Sequence, residues 1–205
     1  MTYIIAGLGN PGAEYENTRH NTGRIILNMI AKEYSKEEFV FNKKINALSV
    51  EGKVGKEKVL FVEPETFMNL SGKSLAPIVK TKKNAKLKLT TADDLLVIYD
   101  DFQLPIGRMK ISYNKSSGGH NGLESVIKSI KTEAFPRLRI GTAVAKKSGD
   151  AKVLHGDETI EKFILGKFKE DEMKELKKMA KKAVEVVELW VNEGRERATN
   201  LANTE

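Results

Sequence analysis

Short apolar runs rich in β-branched residues recur along this chain at residues 3–7, 45–50, 58–62, 95–99, 108–112 and 137–144. Runs of that length bounded by turn-forming residues read as buried strands. Between them Ile25, Ile26, Met29 and Ile30 recur at helical spacing, as do Leu123, Val126, Ile127 and Ile130. Each of these segments therefore has one apolar stripe to lay against a sheet. Strands alternating with helices predict an α/β three-layer sandwich, with a mixed, largely parallel central sheet and helices on both faces. The clearest helix is the last, over about residues 170–195, where Met173, Leu176, Ala180, Ala183, Val187 and Val191 lie three or four residues apart. Glu170, Asp171 and Glu172 open it, placing negative charge at the positive end of the helix dipole.

A chain of 205 residues can bury a sizeable core, and one domain over residues 1–205 is expected. Residues 81–93 and 145–157 read as loops too short to link domains, and Lys80-Thr81-Lys82-Lys83 reads as an exposed charged run. The absence of cysteine excludes disulfides, thiolate metal sites and thiol nucleophiles. The apolar start Tyr3-Ile4-Ile5-Ala6 has no basic stretch before it and reads as a strand, not a signal peptide. No window approaches the roughly 20 apolar residues that span a bilayer, so a soluble, cytoplasmic protein with no membrane partner is expected. A net charge of +7 favours acidic partners, nucleic acid among them.

Four segments carry chemistry. The first, Gly7-Leu8-Gly9-Asn10-Pro11-Gly12, follows the first strand and leads through Tyr15 to Thr18-Arg19-His20-Asn21. A dinucleotide-binding turn wants a third glycine opening a helix directly, and Pro11 with the polar run after it argues against that. The glycines instead let the chain turn tightly off the sheet, placing Asn10 and His20 at the C-terminal end of the strand, where open α/β sheets hold their sites. An imidazole in a loop before a helix can stay accessible while a neighbour fixes its tautomer, and its ordinary pKa suits a general base. In the second segment, Phe67-Met68-Asn69-Leu70-Ser71-Gly72, Asn69 or Ser71 can cap a helix over a buried Phe67 and Met68. Alternatively, Asn69 offers its amide to a substrate beside an apolar surface formed by those two side chains.

The third segment ends a buried strand on Asp100 and Asp101. Two carboxylates can bind a divalent metal, but little histidine is present to complete a site. More economically, Asp100 accepts a hydrogen bond from His20 and raises its basicity, while Asp101 serves as a turn or cap residue. The fourth, Gly118-Gly119-His120-Asn121-Gly122, is a flexible loop entering a helix. The N-terminus of that helix offers N–H groups to a carbonyl oxygen or anion. His120 reads as a hydrogen bonder between loop and core, with a second catalytic role as the alternative.

In order and spacing, the strings GLGNPG, TRHNTG, TFMNLSG, DDFQLPIG and GGHNGL, with FPRLRIG and FILGKF after them, resemble the bacterial-type peptidyl-tRNA hydrolase family over nearly the whole chain. The resemblance implies a compact, monomeric α/β fold and hydrolysis of the ester between peptide and tRNA without metal or cofactor. It makes His20 the general base, Asp100 its partner, and Asn10, Asn69 and Asn121 the substrate-contacting amides, with Asn10 judging whether the substrate's amine is blocked. Tyr15, Phe67 and Met68 match the wall of the cleft for the peptide and the 3′ CCA end. Lys110 and Arg137 match basic positions that grip acceptor-stem phosphates. Gln103, Ser112 and Tyr113-Asn114-Lys115 depart from the family's pattern, which usually has an acidic residue at the first position and basic or glycine-rich residues at the others. The departures leave the catalytic pair intact and bear on the phosphate grip. A non-catalytic RNA-binding protein on the same fold is the alternative. A serine or metal hydrolase of another kind lacks its nucleophile elbow or ligand set here.

Overall fold

The computed structural model describes residues 2–79 and 91–204. Seven strands form one sheet: β1 (Thr2–Gly7), β2 (Val40–Asn42), β3 (Ala47–Val54), β4 (Glu57–Pro64), β5 (Leu95–Pro105), β6 (Met109–Tyr113) and β7 (Pro136–Ala143), in spatial order β2-β3-β4-β1-β5-β7-β6. The central four, β4, β1, β5 and β7, run parallel. Antiparallel pairings complete the edges, β2 with β3 and β3 with β4 on one side, β6 with β7 on the other. The expected mixed sheet is thus parallel at its centre, where crossover helices must cover both faces.

Side chains of successive strand residues alternate between two cores. In β5, Leu96 and Ile98 join the layer containing α1 (Thr22–Tyr34), α5 (Glu170–Glu193) and α6 (Arg195–Asn203). Leu95, Val97 and Tyr99 join the layer of α2 (Gly72–Leu75) and α3 (Asn121–Ile130). A strand buried on both faces must be predominantly apolar, which is why the run before Asp100 carries no charged side chain. The long α5 ends at Gly194, close to where its periodicity runs out. Tyr3 meets its Trp190 edge to face at 5.0 Å.

Three elements lie outside the sequence reading. β2 is a three-residue edge strand, too short for a periodic signal, and its Val40 and Phe41 are exposed. α4 (Asp157–Ile164) follows the loop expected over 145–157 and has no buried residue. α6 turns back along β6, whose outer edge is unpaired. There the Asn203 side chain acts as a strand neighbour: its Oδ1 accepts from the Ile111 N–H at 2.8 Å and its Nδ2 donates to the Ile111 carbonyl at 3.5 Å. The basic run at residues 80–83 and most of the expected loop 81–93 lie outside the described residues. The loop's last residues form a short turn in which the Asp94 carboxylate accepts from the Thr91 hydroxyl and backbone N–H.

No helix among the described residues is long and apolar enough to cross a membrane.

Candidate active site

The turn after β1 is fixed by close backbone approach. A Cβ on Gly7 would sit 2.4 Å from the Gly23 carbonyl oxygen, and one on Gly23 would sit 2.3 Å from the carbonyl oxygen of Ile98 in β5. Only glycines allow the start of α1 to lie directly on β1 and β5. With that contact made, the single turn Arg19–Asn21 that precedes α1 delivers His20 to the C-terminal end of the parallel strands.

His20 is buried, and its Nδ1 lies 3.0 and 3.1 Å from the two carboxylate oxygens of Asp100. Nδ1 carries the hydrogen in that pairing, which leaves Nε2 with a free lone pair. Burial by itself pulls the pKa of His20 down, but the charge of Asp100 and its hydrogen bond outweigh burial, and the net shift is upward. Asp100 is itself fully buried, which opposes ionisation, yet the two histidines beside it hold its carboxyl below the usual carboxylate range.

The second histidine is His120. Its Nε2 lies 3.1 Å from Asp100 Oδ1, while its Nδ1 accepts the backbone N–H of Leu123 at 3.1 Å and so caps α3. The cap fixes the tautomer: with Nδ1 accepting, Nε2 carries the hydrogen and donates to Asp100. The two imidazole centres are 5.0 Å apart, and His120 meets Tyr99 edge-on at 4.8 Å. Loop-to-core bonding was the expectation for His120, and the cap agrees with it. Sequence reasoning did not find that His120 shares the carboxylate of His20; the signal available was a histidine in the N-cap position of a helix packed beside the strand that ends on Asp100.

His20, Asp100 and His120 also form the set of possible metal ligands found among the described residues, with one atom from each lying within 4.8 Å of the others. As bonded, however, both ring nitrogens facing Asp100 present hydrogens and no lone pair to a cation. The arrangement suits proton transfer better than ligation.

Asn10 is held from three directions. Its N–H donates to Asn21 Oδ1 at 2.8 Å, its carbonyl accepts from Asn21 Nδ2 at 2.9 Å, and its Oδ1 accepts from the Met68 N–H at 2.7 Å. The Nδ2 hydrogens are the amide's remaining donors. Asp100, 80 residues away in the chain, contacts His20 Nδ1 as the sequence suggested, while the chain neighbour Asn21 braces Asn10.

These groups line a cleft of about 630 Å³ together with Tyr15, Phe67, Met68, Asn69 and Asn121. Met68 is buried whereas Phe67 is 57% exposed, so the packed reading holds for the first and the surface reading for the second. Asn69 and Asn121 are exposed at the cleft. Ser71 donates its hydroxyl to the Met68 carbonyl, so it closes the turn before α2 without capping its N–H groups. The remaining wall comes from Phe102, Gly119 and, chiefly, α4 and its end, through Asp157, Ile160, Glu161, Ile164 and Leu165; the last two fall within the FILGKF string, but the sequence assigned none of the five to the cleft.

Asp101 is a turn residue: one oxygen accepts from the Gln103 N–H at 2.8 Å, and the other is paired with Arg139 at 2.6 Å. The two residues expected to grip phosphate differ in placement. Lys110 is exposed on β6. Arg137 is 0% exposed, stacked 4.5 Å from the centre of the Phe135 ring, and it donates to the carbonyls of Ser116 and Glu133 at 2.9 and 3.1 Å. These contacts brace the loop carrying Gly118 and Gly119, both at positive φ, into His120. They do not offer the guanidinium to a phosphate, which corrects the role carried over to Arg137. Tyr113, at one of the departures from the family's pattern, donates its hydroxyl to Asp93 at 2.7 Å and lies under Arg195 at 3.6 Å.

The family profile described as peptidyl-tRNA hydrolase matches residues 4–205. Among curated relatives, the peptidyl-tRNA hydrolase of Desulfitobacterium hafniense is 38% identical over 200 residues, covering 98% of each chain. That of Bacillus subtilis is 39% identical over 185 residues, covering 90% of this chain and 89% of the relative. Among solved structures, the peptidyl-tRNA hydrolase of Acinetobacter baumannii superposes with a TM-score of 0.84 at 28% identity, covering 99% of this chain and 95% of that one.

Proposed function

Since the chain belongs to the peptidyl-tRNA hydrolase family, we propose that it cleaves the ester joining a peptide to the terminal ribose of tRNA, with His20 as general base. The observation that carries this reading is the buried contact of His20 Nδ1 with Asp100, which leaves Nε2 as the basic nitrogen on the cleft wall. Nε2 takes a proton from water as the water oxygen attacks the ester carbonyl. Asp100 balances the charge of the imidazolium that forms. As the tetrahedral intermediate collapses, the imidazolium returns that proton to the departing ribose oxygen, releasing free tRNA and the peptide acid.

Amides of Asn10, Asn69 and Asn121 serve the carbonyl and the peptide link next to it, with Tyr15, Phe67 and Met68 as apolar walls. Asn10 is supported most strongly as a selector, because Asn21 and Met68 orient it and its Nδ2 hydrogens can meet a peptide carbonyl. A preoriented donor of this kind discriminates because an ill-fitting partner leaves it unpaired. Exposed Lys110 and Lys115 serve the acceptor-stem phosphates, a contact indifferent to sequence. The protein acts as a cytoplasmic monomer of one domain.

The test is release of free tRNA from N-acetylaminoacyl-tRNA, with and without a chelator. The parent should be active in both conditions, and folded His20→Ala should lose turnover by about 10²-fold or more, the scale of a positioned base. A parent that binds tRNA and releases nothing would make the protein a binder, and near-normal His20→Ala would move the base elsewhere.

A further inference from the structure

α4 forms a wall of the cleft without a buried residue of its own. It packs chiefly on the 19–21 turn, and the side chain making the connection is Arg19, one residue before His20. Arg19 Nη2 donates to both oxygens of Glu172 at 2.9 and 2.8 Å, and Nη1 donates to the carbonyls of Gly166 and Lys167 at 3.2 and 3.1 Å. The guanidinium carbon lies 4.5 Å from the ring centre of Phe163 in α4 and 5.3 Å from that of Phe168 just beyond it. Backbone bonds run alongside, from Arg19 N–H to Gly166 and from Phe168 N–H to Asn17, at 3.0 and 2.9 Å.

Glu172 also accepts from the Lys169 N–H at 2.8 Å, so the carboxylate that holds Arg19 closes the first turn of α5 as well. A planar fork that uses four donors while meeting two aromatic rings is a task for arginine that lysine cannot copy. None of these bonds or ring contacts reaches His20 or Asp100. The side chain faces the strap behind α4, whose Ile160 and Ile164 face the cleft.

We propose that Arg19 is a positioning residue that holds α4 as the peptide-side wall, so that Ile160 and Ile164 meet apolar side chains of the peptide while the neighbouring His20 meets the ester. The proposal rests on reading the cleft as a peptidyl-tRNA site. It makes Arg19 matter in proportion to the peptide: a glycyl ester reaches the base without touching α4, and an apolar tripeptide lies against it.

The test compares kcat and KM on one tRNA carrying either acetylglycine or an acetylated apolar tripeptide, for the parent, Arg19→Lys, and Ile160→Ala with Ile164→Ala. Arg19→Lys should raise KM for the tripeptide by roughly tenfold, the scale of a few lost apolar contacts, and leave acetylglycine and the acidic limb of the pH profile nearly unchanged. The isoleucine pair should show the same selective loss and add little in the Arg19→Lys background. Equal losses on both substrates, a moved acidic limb or additive effects would overturn the role of Arg19. If Arg19→Lys does not fold, Glu172→Gln, which loses the charge that holds the fork, gives the same comparison with the same outcomes. Inactivity of the parent on both substrates would instead overturn the hydrolase reading.

Discussion

Replacing Asp100 with asparagine tests the proposed base directly. In the parent, Oδ1 receives hydrogen bonds from both imidazoles and Oδ2 stands 3.1 Å from His20 Nδ1. An asparagine can keep its one oxygen at Oδ1 and serve both rings, but its NH2 then occupies the Oδ2 position and points hydrogens at the hydrogen on His20 Nδ1. A hydrogen bond to an ionised group contributes about 1.5–3 kcal/mol, and weakening it lowers the pKa of His20. The sign follows from the causes of the shift: with the carboxylate present the pKa is raised above 6.5, and with it gone burial remains and lowers it. A base works above its pKa, so the acidic limb of kcat/KM, which reports the free enzyme, should lie at lower pH in Asp100→Asn than in the parent. Turnover on the alkaline plateau should fall by about 10²-fold or more, because the imidazolium formed in the reaction loses its counter-charge. The assay is release of tRNA from N-acetylaminoacyl-tRNA from about pH 5 to about pH 9 in both proteins. An acidic limb at the same pH in both would refute the pairing as the source of His20's basicity.

Three other substitutions separate local roles. Arg137→Ala should lower stability by about 2–4 kcal/mol through a lost buried guanidinium and two unpaired carbonyls, and should reduce kcat without altering the salt dependence of binding; Lys110→Ala should flatten log affinity against log salt by about 0.7–0.9 at unchanged kcat. Salt titrations showing the flattening in Arg137→Ala instead would return that residue to the phosphate grip. Gly23→Ala should cost about 3 kcal/mol or more, since the added carbon meets backbone of Ile98 and Leu8 and not a side chain that can swing away; a denaturant midpoint within about 0.5 kcal/mol of the parent would mean that α1 can lift off the sheet.

The sheet was legible where one strand's own residues carry the signal. The apolar run ending on Asp100 announced a strand buried on both faces, and the glycines after the first strand announced a tight exit from it. Strand lengths were less legible: β5 continues to Pro105 and β3 to Val54, because pairing with β7 and β4 extends them past their apolar runs. β2 and α4 escaped for a shared reason, that neither buries enough of its own surface to impose a period. The site divides in the same way. Asn10, His20 and Asp100 sit in motifs whose chemistry can be read one residue at a time. The sharing of Asp100 by His120, the brace of Asn21 on Asn10 and the burial of Arg137 depend on contacts between segments far apart in the chain. An arginine on a strand reads as a free cation until the carbonyls of Ser116 and Glu133 are placed around it.

The Asn203 amide on β6 ties the protection of the sheet's edge to the last turn of α6. An edge strand with free N–H and C=O groups is a template for the strand of another molecule. Here one side chain occupies the Ile111 position in the middle of that edge, offering an oxygen and a nitrogen where a neighbouring strand would offer its own. A chain frayed or trimmed by its last few residues would keep its cleft, which no residue of α6 lines, and lose its seal. Edge-to-edge pairing of two molecules is the consequence to expect of losing that amide.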